Sequence, residues 1–172
     1  MVRQDIKIYP DPVLKKNSEE VKKVDDNTLA LIKDMLEIMK EAGGIGLAAP
    51  QLGISKRIIV LSLKEKSFDR LALIDPVIEF FSKETVFMEE GCLSLPGINA
   101  KVERSLKVIV KGITRSGRLV EINAENLLAR VLQHEIDHLN GVLFIDRLGS
   151  QEKKRVENDL EALYKRYSAV TH

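Results

Sequence analysis

Between residues 134 and 138 the chain reads His-Glu-Ile-Asp-His, and this run constrains the fold more than any other feature. Two imidazoles four positions apart share one side of the backbone only in a helix, where they can bind a single ion. The surroundings predict that helix. Leu128, Val131, Leu132, Ile136 and Leu139 recur near the 3.6-residue period across 125–140, and Gly141 stands where a helix would stop. Glu135 projects about 100° round from His134, where zinc peptidases with this motif place a base beside a metal-bound water. Asp137 is open to two readings, an outward charge or an acceptor for a histidine N–H.

Ahead of this helix, Leu29, Ile32, Leu36 and Met39 repeat with helical spacing over 25–42, behind Asp and Asn capping candidates and before Gly43. Residues 57–63, 71–74, 85–88, 105–114 and 119–123 read as short strands rich in Val and Ile, with Ser116-Gly117 turning the last two into a hairpin. Val156, Leu160, Leu163, Tyr164 and Tyr167 mark one face of an amphipathic C-terminal helix. Helix, strands, helix and helix follow in blocks, without alternating βα units. The expected class is therefore α+β: antiparallel β-sheets packed around a central metal-binding helix, flanked by an N-terminal and a C-terminal helix. The five prolines are scattered and no repeat occurs, so 1–172 reads as one domain with 148–172 as a helical tail.

Two histidines need a third ligand. Glu157 is one candidate, on the C-terminal helix as in thermolysin-like sites, but Lys153, Lys154, Arg155 and Asp159 make its surroundings a solvated face. The single cysteine, Cys92, is the other, set in the tight and mostly apolar Glu90-Gly91-Cys92-Leu93-Ser94-Leu95-Pro96-Gly97 after a predicted strand. A thiolate is a good ligand for a divalent first-row metal, and Cys92 is preferred. With 27 basic and 26 acidic side chains the chain lacks the positive surplus of a nucleic-acid binder, and it has no specific nucleic-acid motif. No apolar run suggests a membrane span or a leader, and a cytoplasmic protein is expected.

Gly43-Gly44-Ile45-Gly46-Leu47-Ala48-Ala49-Pro50-Gln51 formally matches a dinucleotide fingerprint, yet it follows a helix, and Pro50 and Gly53 forbid the helix that must come next. What remains is a small-residue turn that lets a ligand approach the backbone and ends in Gln51, an amide able to donate to an oxyanion.

Taken in order, Gly44-Ile45-Gly46-Leu47-Ala48-Ala49-Pro50-Gln51, Glu90-Gly91-Cys92-Leu93-Ser94 and Gln133-His134-Glu135-Ile136-Asp137-His138 resemble the three motifs of peptide deformylases, and Ile8-Tyr9-Pro10-Asp11-Pro12-Val13-Leu14 is similar to the start of that family. The spacing between Gln51 and Glu90 resembles the bacterial type I group. The resemblance implies a metal-dependent hydrolase that removes the N-formyl group from the N-terminal methionine of new polypeptides and releases formate. It implies Cys92, His134 and His138 as metal ligands and Glu135 as general base and acid. Gln51 and the Leu93 N–H would bind the oxyanion, and Ile45, Gly46 and Gly91 would hold the substrate main chain. Ile45, Met88, Leu127, Val131 and the His134 ring would form the methionine pocket, with Glu90 paired to Arg104. Ferrous iron is the implied ion in the cell, with zinc, nickel or cobalt possible in purified protein. The implied partners are N-formylmethionyl nascent chains, with the ribosome near its exit tunnel reached through the C-terminal helix.

Overall fold

The computed structural model describes residues 5–63 and 70–168. The first helix, α1 (Asp26–Glu41), starts where the Asp25 carboxylate accepts the Thr28 N–H at 2.9 Å. It stops in a Schellman turn, with Gly43 at φ +71° and the Gly44 N–H donating to the Met39 carbonyl at 2.9 Å. Buried Ile32, Met35, Leu36 and Met39 form its inner stripe.

Seven strands follow: β1 (Gly46–Ala48), β2 (Ile58–Leu61), β3 (Leu71–Phe81), β4 (Thr85–Cys92), β5 (Leu95–Ser105), β6 (Lys107–Ile113) and β7 (Leu119–Glu125). Five of them form an antiparallel sheet in the order β1-β2-β3-β6-β7, while β4 and β5 pair as a separate hairpin. The predicted β6–β7 turn is present, closed by the Thr114 N–H donating to the Arg118 carbonyl at 2.9 Å and by Gly117 at φ +75°.

All four residues of β2 are buried because both sheet faces are covered. On one face α1 packs over Leu47, Ile58, Val60 and Ile74. On the other, α2 (Asn126–Leu139) lays Leu128, Leu132, Ile136 and Leu139 on Ile59, Leu61, Leu73 and Val110. The hairpin packs Ile98, Ala100 and Val102 against Phe144, Leu148 and Val156, the last from α3 (Ser150–Ser168). Every residue of α2 from Leu128 to Leu139 is therefore buried. Truncating a fully enclosed residue such as Leu132 to alanine costs about 2–5 kcal/mol. The α+β architecture around a central helix holds.

Several boundaries differ from the expectation. β3 continues past Ile74 to Phe81 and β4 past Met88 to Cys92, while β1 and β5 are strands that the sequence reading did not include. Among the described residues no helix is long and apolar enough to cross a membrane.

Candidate metal centre and active site

Cys92 ends β4, at a register break between Gly91 and Cys92 where the hairpin closes onto Leu95. Such a bulge re-aims a side chain. The Cys92 sulfur lies 3.3 Å from His138 Nε2, and one donor atom from each of Cys92, His134 and His138 falls within 4.8 Å of the others. Glu157 belongs to the exposed face of α3 and takes no part in this cluster. One thiolate and two imidazoles suit a single divalent first-row ion. Three protein donors beside a cavity leave a coordination position free, as catalytic sites require.

Glu90 fixes one of these imidazoles. Its Oε2 lies 2.9 Å from His134 Nδ1, which leaves the opposite ring nitrogen for the ion. Burial pushes the Glu90 carboxyl up, but hydrogen bonds from His134 and Arg104 and the Arg104 charge outweigh this and hold it at about 2. Arg104 donates to Glu90 through Nε at 2.9 Å and Nη2 at 3.0 Å, which is the pairing expected from the resemblance. Arg130 adds a bond to Glu90 at 2.6 Å.

Asp137 follows neither of its two sequence readings. It is 6% exposed and accepts from Arg104 at 2.5 Å and from Arg147 at 2.6 Å, so guanidinium groups rather than a histidine N–H satisfy it. A carboxylate buried to this degree needs a partner for its charge, and the two arginines supply it.

The small-residue turn sets the opposite wall. Gln51 sits in a single 3₁₀ turn after β1, with its Oε1 accepting the Ala48 N–H at 2.8 Å. This anchoring aims Nε2 at Cys92 Sγ, 3.5 Å away, and at Ser94 Oγ, 3.2 Å away. The chain ahead of α1 ties both turns together: the Lys7 N–H donates to the Gln51 carbonyl at 2.7 Å and the Tyr9 N–H to the Ser94 carbonyl at 2.9 Å.

Between these walls lies a cavity of about 460 Å³. Ile45, Gly46, Gln51, Gly91, Cys92, Leu93, Leu127, Val131, His134 and Glu135 all line it. Glu135 is 4% exposed, and its Oε2 has no hydrogen-bond partner among the described residues. Burial pushes its carboxyl up to about 7. Ile45 and Leu127 are apolar yet 47% and 45% exposed, which places them at the mouth. Met88 is the exception among the expected pocket residues: 40% exposed on β4, it stands outside the cavity lining.

Sequence reasoning missed Ser94, Arg130 and Arg147. Arg130 had a readable signal, since it falls on the buried stretch of α2 directly before Val131 and Leu132. Ser94 had none, because its partner Gln51 is distant in the chain, and Arg147 had none, because it lies beyond the helix that carries Asp137 and no periodicity marks it as turned inward.

Residues 3–154 match the family model described as polypeptide deformylase. A peptide deformylase of Brachyspira hyodysenteriae is 46% identical over 165 residues, covering 93% of this chain and 88% of that one. One from Halothermothrix orenii is 52% identical over 139 residues, 80% of this chain and 88% of its own. The crystal structure of peptide deformylase from Plasmodium falciparum superposes with a TM-score of 0.93 at 42% identity, covering 98% of this chain and 99% of that one. With a model matched over most of its length and relatives this similar, the chain belongs to the polypeptide deformylase family.

Proposed function

We propose that Cys92, His134 and His138 hold one divalent ion in this enzyme, that Glu135 carries the proton, and that Gln51 and the Leu93 N–H receive the oxyanion. The reaction is that of the family, hydrolysis of the N-formyl group of nascent polypeptides. When bound, the ion polarises the formamide carbonyl and lowers the pKa of a coordinated water toward 7.

Glu135 lines the cavity together with Cys92 and His134 and has a buried oxygen open to a new bond. It takes the proton from the attacking water and returns it to the leaving amine, so that formate and a free N-terminus result. Gln51 Nε2 now donates to a thiol sulfur and a serine oxygen, and a developing oxyanion is a stronger acceptor than either. One such donor is typically worth about 3 kcal/mol. The backbone at Ile45, Gly46 and Gly91 holds the substrate main chain as an added strand, which binds without reading side chains. Discrimination then falls to the methionine pocket, supported by Ile45, Leu127, Val131 and the His134 ring lining one cavity.

The donor set suits ferrous iron, zinc, nickel and cobalt alike, and the resemblance to the family is what selects ferrous iron in the cell, with the other three as replacements in purified protein. In this reading the enzyme docks at the ribosome near the exit tunnel through α3, whose exposed surface carries Lys153, Lys154, Arg155, Lys165 and Arg166 alongside Glu157, Asp159 and Glu161. A thiolate ligand fits the reducing cytoplasm, where such chains emerge. The packing of α3 onto β5 supports a single catalytic domain over 1–172 with 148–172 as its helical tail.

The carrying observation is the convergence of Cys92, His134 and His138 beside Glu135 and an open cavity. Anaerobically prepared protein, assayed with formyl-Met and acetyl-Met peptides, is expected to hold about one ion per chain and to prefer the formyl peptide strongly. The extra methyl of the acetyl group would crowd the cavity where Leu93 lies beside Cys92 and His134. Comparable rates on the two peptides would count against the reading.

A further inference from the structure

The proposed ligands come from two elements, Cys92 from β4 and the histidines from α2, so the placement of hairpin against helix decides whether three donors meet. Ion pairs span that gap. Arg104 on β5 grips Glu90 on one side, and its Nη1 donates to Asp137 Oδ2 at 2.5 Å on the other. Asp137 lies between the two histidines in sequence, and its carboxylate is in turn held by Arg147, with Nε on Oδ2 and Nη2 on Oδ1, both at 2.6 Å. The Arg147 side chain is 46% exposed, whereas those of Arg104 and Asp137 are 3% and 9% exposed. It borders a second cavity of about 600 Å³ behind α2, walled also by Phe81 and Gln133, away from the substrate side.

We propose that Arg147 is a positioning residue of the metal centre: through Asp137 and Arg104 it fixes α2 against the β4–β5 hairpin and so keeps His134 and His138 opposite Cys92. This rests on the three-ligand reading given above. A carboxylate clamped from two sides cannot swing. Released by Arg147, Asp137 is held from one side only, and the helix gains freedom to rotate relative to the hairpin. Lysine cannot restore the clamp, because a single ammonium does not reproduce a two-pronged guanidinium contact. Groups that orient metal ligands typically contribute 10- to 100-fold in affinity, and a residue acting through two others belongs near the lower figure.

The test is zinc affinity, measured by chelator competition on folded Arg147→Ala and Arg147→Lys proteins, with KM for a formyl-Met peptide followed alongside. Zinc affinity is expected to fall about tenfold in Arg147→Ala and less in Arg147→Lys, with KM within about twofold of the parent. The truncated side chain opens into the second cavity, so millimolar methylguanidinium should restore the affinity of Arg147→Ala while sodium chloride at equal ionic strength should not. A lower melting temperature with unchanged zinc affinity would make Arg147 merely structural and overturn the proposal. Restoration by sodium chloride, or no restoration by methylguanidinium, would also overturn it. Should Arg147→Ala fail to fold, an Arg147→Lys protein with parental zinc affinity overturns it alone. Failure of the ligand reading is separable, since it would appear as full zinc affinity in Cys92→Ala.

Discussion

Gly46 and Glu135 face each other across the cleft so closely that a β-carbon on Gly46 would lie 2.3 Å from Glu135 Oε1 and 2.8 Å from its Cδ. Glu135 is buried but lines the open cavity, so its carboxylate end is the part that must give way. Gly46→Ala should therefore displace the proton carrier while leaving the three ligands in place. The expected outcome is a loss of about 100-fold in kcat with bound metal unchanged, the scale of a displacement of about 1 Å at a reacting group. Overpacking should also cost about 1–3 kcal/mol in an unfolding titration. Unaltered kcat in Gly46→Ala would separate Glu135 from the chemistry.

Replacing the carboxylate itself gives the complementary result. Glu135→Gln keeps shape and packing but cannot take a proton, so kcat should fall by about 10²–10⁴ with one ion still bound. Metal analysis beside the assay distinguishes this from loss of the site. A variant that loses both metal and activity would mark Glu135 as a ligand.

For Cys92, the expectation is that Cys92→Ala greatly weakens metal binding while Glu157→Ala, on the exposed face of α3, changes neither metal content nor rate. Cobalt-loaded protein should show an intense near-ultraviolet sulfur-to-metal band that disappears in Cys92→Ala. A cobalt protein without that band would remove Cys92 from the ligand set.

Acid stability of the metal-free protein should report Glu90. Its carboxyl is held at about 2, below the ordinary value of 4.5, so its stabilising contribution is complete above about 4.5 and is lost as the pH falls toward 2. The contribution is on the order of 3 kcal/mol. Unfolding titrations between pH 2 and 6 should show this slope, and Glu90→Gln should flatten it. An equally steep slope in Glu90→Gln would move the effect to other carboxyls.

Much of this was readable from residue order, and the failures have physical causes. The α2 stripe of Leu128, Leu132, Ile136 and Leu139 and the stop at Gly141 announce the helix without tertiary information, because one face must be apolar to lie on a sheet. β5 escaped because Pro96 and Gly97 open it and Lys101, Glu103 and Arg104 give it a surface composition. Its inward positions are nevertheless Ile98, Ala100, Val102 and Arg104, a strict alternation whose last member is a buried cation. Reading Arg104 as inward would have called for buried carboxylates, and Glu90 and Asp137 are those. Cys92 and Gln51 were legible as chemistry-bearing residues in tight turns. The bond from Gln51 to Ser94 was not, since it joins segments far apart in the chain.

The backbone bonds made by the residues ahead of α1 carry a consequence for how the enzyme comes into being. Lys7 and Tyr9 close onto the Gln51 and Ser94 turns, and the Ser18 N–H caps the end of α2 at the Leu139 carbonyl. The stretch ahead of α1 thus waits for partners much further along the chain, and closures over such long sequence separations are slow steps of folding. The cleft of this enzyme is therefore completed only after the chain as far as α2 has emerged, so its assembly is a late event of folding.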